Sequence, residues 1–574
     1  MRKILIFLIL CQTTLAQNLK TPYEESGGQE TATYEQGIAF YEKLAAQTPE
    51  ISLFKYGNTD IGKPLHLAVF SADRDFEVAS LKKKRKTIFL IINAIHPGEP
   101  DGVDASMMLL RDIAENEKLK RMCKNTVIAV IPFYNVDGVL NRNSFSRVNQ
   151  NGPKSYGFRG NAKNYDLNRD FIKMDSENAK TFVQIFHTWQ PDVQIDNHVT
   201  NGADYQYTMT YIFANPALYA PEMADYFLKE FKPEMLNRMK KKGEEMSPYV
   251  ETKSAVPDSG LVQNVRSPRF SHIYATQFHT LAMVAETHML KPFNKRTEAT
   301  YKMMMTILEI LEKDGTKIQK NRKKAFEYFQ KQNTMVLDWK IDFSKFEMID
   351  FKGYEAEYID SKITGQKRLY YNQNKPYTKK IPFYNTHEPK LTISKPKMYI
   401  IPRPYAHIGK LLEMNGVQVV KFAKPETFKV SYYYIRDYKT VSKPYEGHYL
   451  HSEVVVEKKE GEYKIQEGDL IVMTNQPHIN FIMHVLEPQA PDSYFNWNFF
   501  DSILMQKEGY SDYVFEDIAE KLLQENILLR QKFEAKKKQE PEFAKNAKAQ
   551  LDFIYYNSPY YEVTHLRYPI LRVD

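Results

Sequence analysis

Residues 87–95 form a nearly continuous apolar run of β-branched and aromatic side chains that stops at His96-Pro97-Gly98. A run of that length suits a strand buried on both faces. Between residues 101 and 115 the apolar positions Val103, Met107, Leu110 and Ala114 recur at helical spacing, and a second buried run follows at 126–132. Strand, helix, strand in that order implies parallel strands joined by a covering helix. A helix over 177–189 precedes a third run at 192–198, and residues 280–286 supply a fourth. The predicted fold class is α/β, with a mixed, largely parallel twisted sheet flanked by helices. Upstream, Thr33 and Gln36 make a capping box for a helix carrying Ile38, Phe40, Tyr41 and Leu44.

At 574 residues the chain exceeds what one core accommodates, about 250–300 residues. Past residue 291 the texture shifts to a helical stretch with Met303, Ile307, Ile310 and Leu311 on one face, followed by the charged segment 313–324. The Met303 to Met305 group reads as core. Short Tyr-, Val- and Ile-rich strands broken by Pro, Gly and Asn then run from 338 to 491, and residues 515–533 read as an amphipathic helix with Ile518, Ala519, Leu522 and Leu523 on its apolar stripe. These shifts predict a first domain over 17–315, a helical linker over 316–337 and a β-rich C-terminal domain over 338–574. In that last domain Tyr432-Tyr433-Tyr434 and Tyr494-Phe495-Asn496-Trp497-Asn498 suit either a sugar- or peptide-binding face or core packing.

The first sixteen residues read as an export signal. Arg2 and Lys3 precede the apolar stretch 4–10, and Thr14-Leu15-Ala16 offers small residues before a cut at Gln17. The stretch is too short to span a bilayer, and the bulky Leu10 before Cys11 argues against a lipid-modified cysteine. A secreted or periplasmic location is expected. Cleavage removes Arg2 and Lys3, lowering the formal charge from +8 to +6, and leaves Cys123 as the single cysteine. No internal disulfide and no thiolate metal site can then form, so any metal must be held by His and carboxylate. Acidic and basic residues are interleaved, the run 82–86 reads as a solvated turn, and no nucleic-acid-binding module is expected.

Three of the apolar runs end on residues with chemical potential: His96, His198 and Glu286. Ligands of open α/β sheets sit beyond the carboxyl ends of the strands, so these residues would converge on one crevice. The Pro97-Gly98 turn could aim His96 and Glu99 at one point. A third ligand from another strand would complete a His-Glu-His set and leave a zinc ion one open position, as catalytic sites require. The same spacing recurs at His484 and Glu487, where the alternation of Phe481, Met483 and Val485 suggests a strand with nothing catalytic nearby.

Between the first and second ligand strands lies Asn164-Tyr165-Asp166-Leu167-Asn168-Arg169-Asp170, preceded by Arg147. Taken with Gly62-Lys63-Pro64-Leu65, the loop 96–99, Asn135-Val136-Asp137-Gly138, residues 197–202 and Glu286-Thr287-His288, this stretch resembles the zinc carboxypeptidases typified by carboxypeptidase A, over residues 34–292. The resemblance implies a secreted zinc metallocarboxypeptidase that hydrolyses C-terminal residues from peptides. It implies that His96, Glu99 and His198 bind one zinc ion and that Glu286 is the general base toward the attacking water. By the same resemblance Asp166 hydrogen-bonds the ligand His96, while Asn168 and Arg169 grip the terminal carboxylate of the peptide. Guanidinium matches carboxylate bidentately, which is what an exopeptidase needs. Arg147 corresponds to the arginine that stabilises the oxyanion, with Arg142 and Arg159 as competitors.

Two departures accompany the resemblance. The family often carries an arginine between its first two ligands, where this chain has Pro97-Gly98. Its mobile tyrosine has only Tyr274 as a candidate, inside the stretch 256–278 that would also choose the terminal side chain. His279 and His288 read as structural. A zinc amidase or deacylase acting on cell-wall peptides or acyl amino acids would use the same triad, and a non-catalytic peptide- or glycan-binding protein is the alternative outside enzymes.

Overall fold

The computed structural model describes residues 19–422 and 425–574, so the export signal expected at residues 1–16 lies outside the described residues. The chain forms two compact units. The first takes the chain up to Gln332 together with Asp338–Thr392 and Met414–Gly416; the second takes Asn333–Leu337, Ile393–Glu413 and Val417–Asp574.

The first unit is built on an eight-stranded sheet. Its strands are β1 (Ile51–Asn58), β2 (Pro64–Phe70), β3 (Thr87–Ile92), β4 (Thr126–Ile131), β5 (Val193–Thr200), β6 (Met209–Phe213), β7 (Met246–Pro248) and β9 (Leu281–His288), in the spatial order β1-β2-β4-β3-β5-β9-β6-β7. The central strands β4, β3, β5 and β9 run parallel, while β1 with β2, β2 with β4, and β6 with β9 pair antiparallel. Every residue of β3, β4 and β5 is buried, as the unbroken apolar runs require when both faces of a sheet are covered. Alternation along β5 shows how they are covered. The Asn197 side chain reaches Met304 of the helix Phe293–Lys331, whereas Gln194 and Asp196, of opposite parity, meet Ser271 of the helix Ser271–Thr276.

The strand ends differ from the sequence expectation in an instructive way. The run 87–95 stops being strand at Ile92, because Ala94 turns into the left-handed region at φ 54° and swings His96 out of the sheet. The β5 and β9 ladder, by contrast, continues two residues past His198 and Glu286, to Thr200 opposite His288. His198 and Glu286 are themselves direct partners in that ladder.

A buried ion pair fixes the neighbouring helix. Asp101, at the start of the helix Asp101–Glu115, accepts from Arg296 Nε at 3.0 Å and from the Thr287 hydroxyl at 2.5 Å. The remaining Arg296 donors go to the carbonyls of Asn151, Gly152, Met289 and Lys291. Gly102 follows because a Cβ there would collide with Asn93 and Asn197.

The helix Phe293–Lys331 is continuous, 39 residues long, and does not become a linker near residue 315. Ile318, Asn321, Arg322 and Ala325 are buried, and the Arg322 guanidinium binds the Gln190 carbonyl and Asp192 at the entry to β5. Unlike Arg322, the lysines at 313–324 lie on the solvent side of this one amphipathic helix, which a composition shift alone mistakes for a boundary. Likewise residues 338–392, expected in the C-terminal domain, fold with the first unit. The long hairpin of Glu347–Asp360 and Lys367–Tyr384 pairs in parallel with β8 (Leu261–Val262), and Gln206 donates to the Gly353 and Tyr377 carbonyls of that hairpin.

The second unit is β-rich, with a six-stranded sheet that includes Met398–Ile401, Thr427–Thr440, His451–Lys464 and Leu571–Val573. Tyr494, Phe495 and Trp497 are fully buried, so that aromatic cluster is core. The single helix expected over 515–533 is broken at Asn526, which caps a second helix; Asp512–Glu525, Ile527–Gln539, Pro541–Lys545 and Ala547–Tyr556 close over Phe515, Phe533, Phe543 and Ile554. Residues 479–486 are helix, not strand. All but Asn480 are buried there, so burial imposes no helical period for the sequence to display. Among the described residues no helix is long and apolar enough to cross a membrane.

Replacing Arg296 by Met leaves Asp101 as an uncompensated buried charge and should cost about 3–5 kcal/mol in urea unfolding. The double variant with Asp101→Asn should recover part of that loss; an undiminished midpoint in the single variant would remove the pair from the framework.

Candidate metal and active site

The turn after β3 and the end of β5 bring three buried ligand atoms together. The Nδ1 atoms of His96 and His198 are 3.1 Å apart, and Glu99 Oε2 lies 3.3 Å from the first and 3.0 Å from the second. Tetrahedral zinc with bonds of about 2.0–2.1 Å sets its ligands roughly 3.3 Å from one another, so this triangle has the size of a zinc face. Among the described residues it is the one group of His, Cys, Asp and Glu with such geometry.

Both imidazoles are oriented from behind. His96 Nε2 lies 2.9 Å from Asp166 Oδ1, as the resemblance implies, and His198 Nε2 lies 2.8 Å from Asp196 Oδ2. A carboxylate at Nε2 accepts a hydrogen bond from the ring N–H and so turns the Nδ1 lone pair toward the metal position. Asp196 was missed by sequence reasoning, although its signal was present: it stands two residues before His198 on a strand and therefore shares its face. Ser271 and the Asp196 carboxylate share a further hydrogen bond.

Charges around the triangle keep it ready for a cation. Burial would raise the Glu99 carboxyl, but Arg147 and His96 beside it hold it well below the usual range. Burial also works against ionised Asp166, and His96, Arg169 and Arg159 together overcome it, holding that carboxyl far down. Glu286 goes the other way, pushed up to about 7 by burial despite the opposing pull of His198.

The ligands open on a cavity of about 140 Å³ whose wall includes Asn168, Arg169, Arg159, Tyr249 and Glu286. Arg169 stacks 4.4 Å above the Phe270 ring and donates to the Asn168 carbonyl, which aims its guanidinium. Asn168 Oδ1 accepts from the Ser271 amide at 3.1 Å, and its Nδ2 lies 3.2 Å from His198 Nε2.

The arginine assignment shifts. Arg147 does not line the cavity: it donates to Glu99 Oε1 at 2.8 Å, to the Val199 carbonyl and to Gln150. Its stem packs on Gly98, where a Cβ would come within 2.9 Å of Arg147 Cγ. Arg159 does line the cavity, bridging Asp166 Oδ2 at 2.8 Å and Glu99 Oε1 at 3.4 Å. Arg142 is structural, bound to the Ser155 and Ala32 carbonyls.

Tyr274 cannot reach the site. It is fully buried in an aromatic cluster and donates to Asn415, with His187 at 3.0 Å from its hydroxyl. Tyr249 occupies the cavity wall instead, just after β7, where no sequence spacing would have placed it. His288 and His279 are core residues, the first against Asp204 and stacked on Tyr205, the second stacked on Phe329. The second His–Glu pair does not converge: His484 Nε2 meets the Pro491 carbonyl, and Glu487 is held by Tyr399 and Arg572.

The profile of the zinc carboxypeptidases matches residues 38–268, which include His96, Glu99, His198, Asp166, Asn168 and Arg169. Those residues make up a zinc carboxypeptidase domain. The chain is a zinc-dependent metallopeptidase. It is 22% identical over 431 residues to Carboxypeptidase 2 of Trichophyton rubrum, covering 71% of this chain and 73% of that protein. Over 424 residues it is 22% identical to Carboxypeptidase 2 of Trichophyton tonsurans, covering 70% and 71%. Among solved structures, the metallo-carboxypeptidase from Burkholderia cenocepacia aligns with a TM-score of 0.36 and 16% identity, over 48% of this chain and 68% of that one.

An Asp196→Ala variant of this zinc carboxypeptidase should bind zinc about 10–100-fold more weakly in competition with a chelator. Wild-type affinity in that variant would show that the buried carboxylate has no part in holding His198.

Proposed function

We propose that this protein is an exported metallocarboxypeptidase that binds one zinc ion at His96, Glu99 and His198 and releases residues singly from the carboxyl ends of peptides. When bound, zinc supplies a Lewis acid that polarises the scissile carbonyl and makes water nucleophilic near neutral pH. The observation that carries the reading is the pairing of His198 with Glu286 on adjacent strands, which sets a carboxyl beside the metal position. Buried and raised to about 7, that carboxyl is suited to accept the proton of an attacking water and return it to the leaving amine.

Asn168 and Arg169 would bind the free terminal carboxylate through two charge-matched donors, which excludes internal peptide bonds. Arg159 takes the role first given to Arg147, because its guanidinium faces the cavity between Asp166 and Glu99, where charge develops on the attacked carbonyl oxygen. Arg147 instead keeps Glu99 ionised as a ligand. Export rests on the charged, apolar and small-residue segments of residues 1–16.

Incubation with a mixed peptide library followed by mass spectrometry should show stepwise C-terminal shortening. Release of acyl or cell-wall amide groups without such shortening would favour an amidase. Glu286→Gln should retain zinc and lose at least about 10³-fold in kcat, and undiminished turnover would exclude it as the base. A base acts as carboxylate, so kcat/KM of the wild type should fall as pH drops through a value between the ordinary 4.5 of a glutamate and about 7. A profile that stayed level from neutral pH down to 4.5 would contradict the assignment. Arg169→Ala should harm cleavage of free-acid peptides far more than of amidated ones.

A further inference from the structure

The cavity holds two groups for which the proposed hydrolysis has no use. Arg266 lines it, stacked 5.4 Å from the centre of the Phe270 ring that also carries Arg169. Its Nη2 donates to Glu251 at 3.0 Å, which orients the guanidinium without occupying all of its five donors. His272 lines the same cavity, is 2% exposed, and has no hydrogen-bond partner at either ring nitrogen. Burial pushes its pKa down to about 3, with Arg266 and His198 adding to the effect, so the ring is neutral and offers one N–H and one lone pair. An unpartnered buried imidazole costs stability unless something fills the space beside it.

One phenyl ring thus carries two guanidiniums, and a substrate end with two carboxylates would answer both. Building on the carboxypeptidase reading, we propose that the enzyme selects peptides whose last residue bears an acidic side chain, with Arg169 taking the α-carboxylate and Arg266 and His272 taking the side-chain carboxylate. The floor beneath them is set by the sheet: Ile212 and Val284 are partners in the β6 and β9 ladder, two positions along from Glu286, and give the methylene stem of a glutamate or aspartate an apolar bed. A lysine or arginine side chain would meet Arg266 as a like charge. Bulky apolar ends have a rival pocket, an adjoining cavity of about 330 Å³ that shares Ile212, Tyr249 and Arg266 as its wall and is lined on its far side by Phe213, Phe227 and Phe383.

The test is steady-state kinetics of the zinc-loaded enzyme on matched peptides ending in Glu, Gln, Leu, Phe or Lys. The Glu peptide should exceed the Gln and Leu peptides in kcat/KM by at least about tenfold, the scale of one charge-assisted hydrogen bond. Arg266→Met should erase that margin while the Leu peptide is still cleaved, and His272→Phe, which keeps the ring volume, should narrow it. Preference for Phe or Leu would place the side chain in the larger cavity and overturn the proposal, as would a preference for Lys. So would an Arg266→Met variant, with full zinc content, that slows all five peptides by one common factor. Cleavage of none of the five would remove the carboxypeptidase reading itself, and this inference with it.

Discussion

The register between β5 and β9 governs everything chemical in this molecule. It sets His198 beside Glu286, and because successive strand residues alternate in direction, it also fixes Asp196 and Val284 on the same face and Asn197 on the other. A slip of one residue would turn the ligand and the carboxyl into the helix layer. What prevents the slip lies on the opposite side of the sheet: Asn197 reaches Met304 in the covering helix, and Gly102 admits that packing because it has no side chain. The site is held in place by contacts that never touch a substrate.

Burial then divides the carboxylates into classes. Glu99 and Asp166 are surrounded by Arg147, Arg159, His96 and Arg169, and remain ionised in spite of desolvation. Glu286 has His198 and, farther off, Arg266 as compensation, yet burial still prevails. In the proposed mechanism the same kind of residue therefore serves as ligand, orienter or proton acceptor according to which cation the fold brings to it. Arg147 and Arg159 both approach Glu99, but only Arg159 lines the cavity, which is why the proposed oxyanion role passes to it.

Much of this was legible in the residues. Unbroken apolar runs gave the parallel sheet, and the polar residues that close those runs gave His96, His198 and Glu286, although none of the three is the last residue of its strand. Asp166, Asn168 and Arg169 were legible as one contiguous stretch. Residues that enter the cavity sideways were not. Tyr249, Arg266 and His272 lie in irregular segments or a short helix, where no period tells an inward from an outward side chain. The chain's internal divisions were misread for a related reason: composition reports solvent exposure, and the charged face of the helix Phe293–Lys331 has the composition of a linker while its buried face carries Ile318 and Arg322.

The hairpin Glu347–Tyr384 has a bearing on how this enzyme is divided in the laboratory. Gln373 on its second strand donates to Asp204, and the other oxygen of Asp204 meets His288, two residues beyond Glu286 on the same strand. A fragment ending in the 330s, where composition invites a cut, would strip β8 of its partner and expose Tyr205, Tyr207 and Leu261, which pack with Phe351 of the hairpin, to water. The first unit includes residues up to Thr392 and Met414–Gly416 as well, which makes the hairpin an integral strut of the peptidase and not an appendage to it.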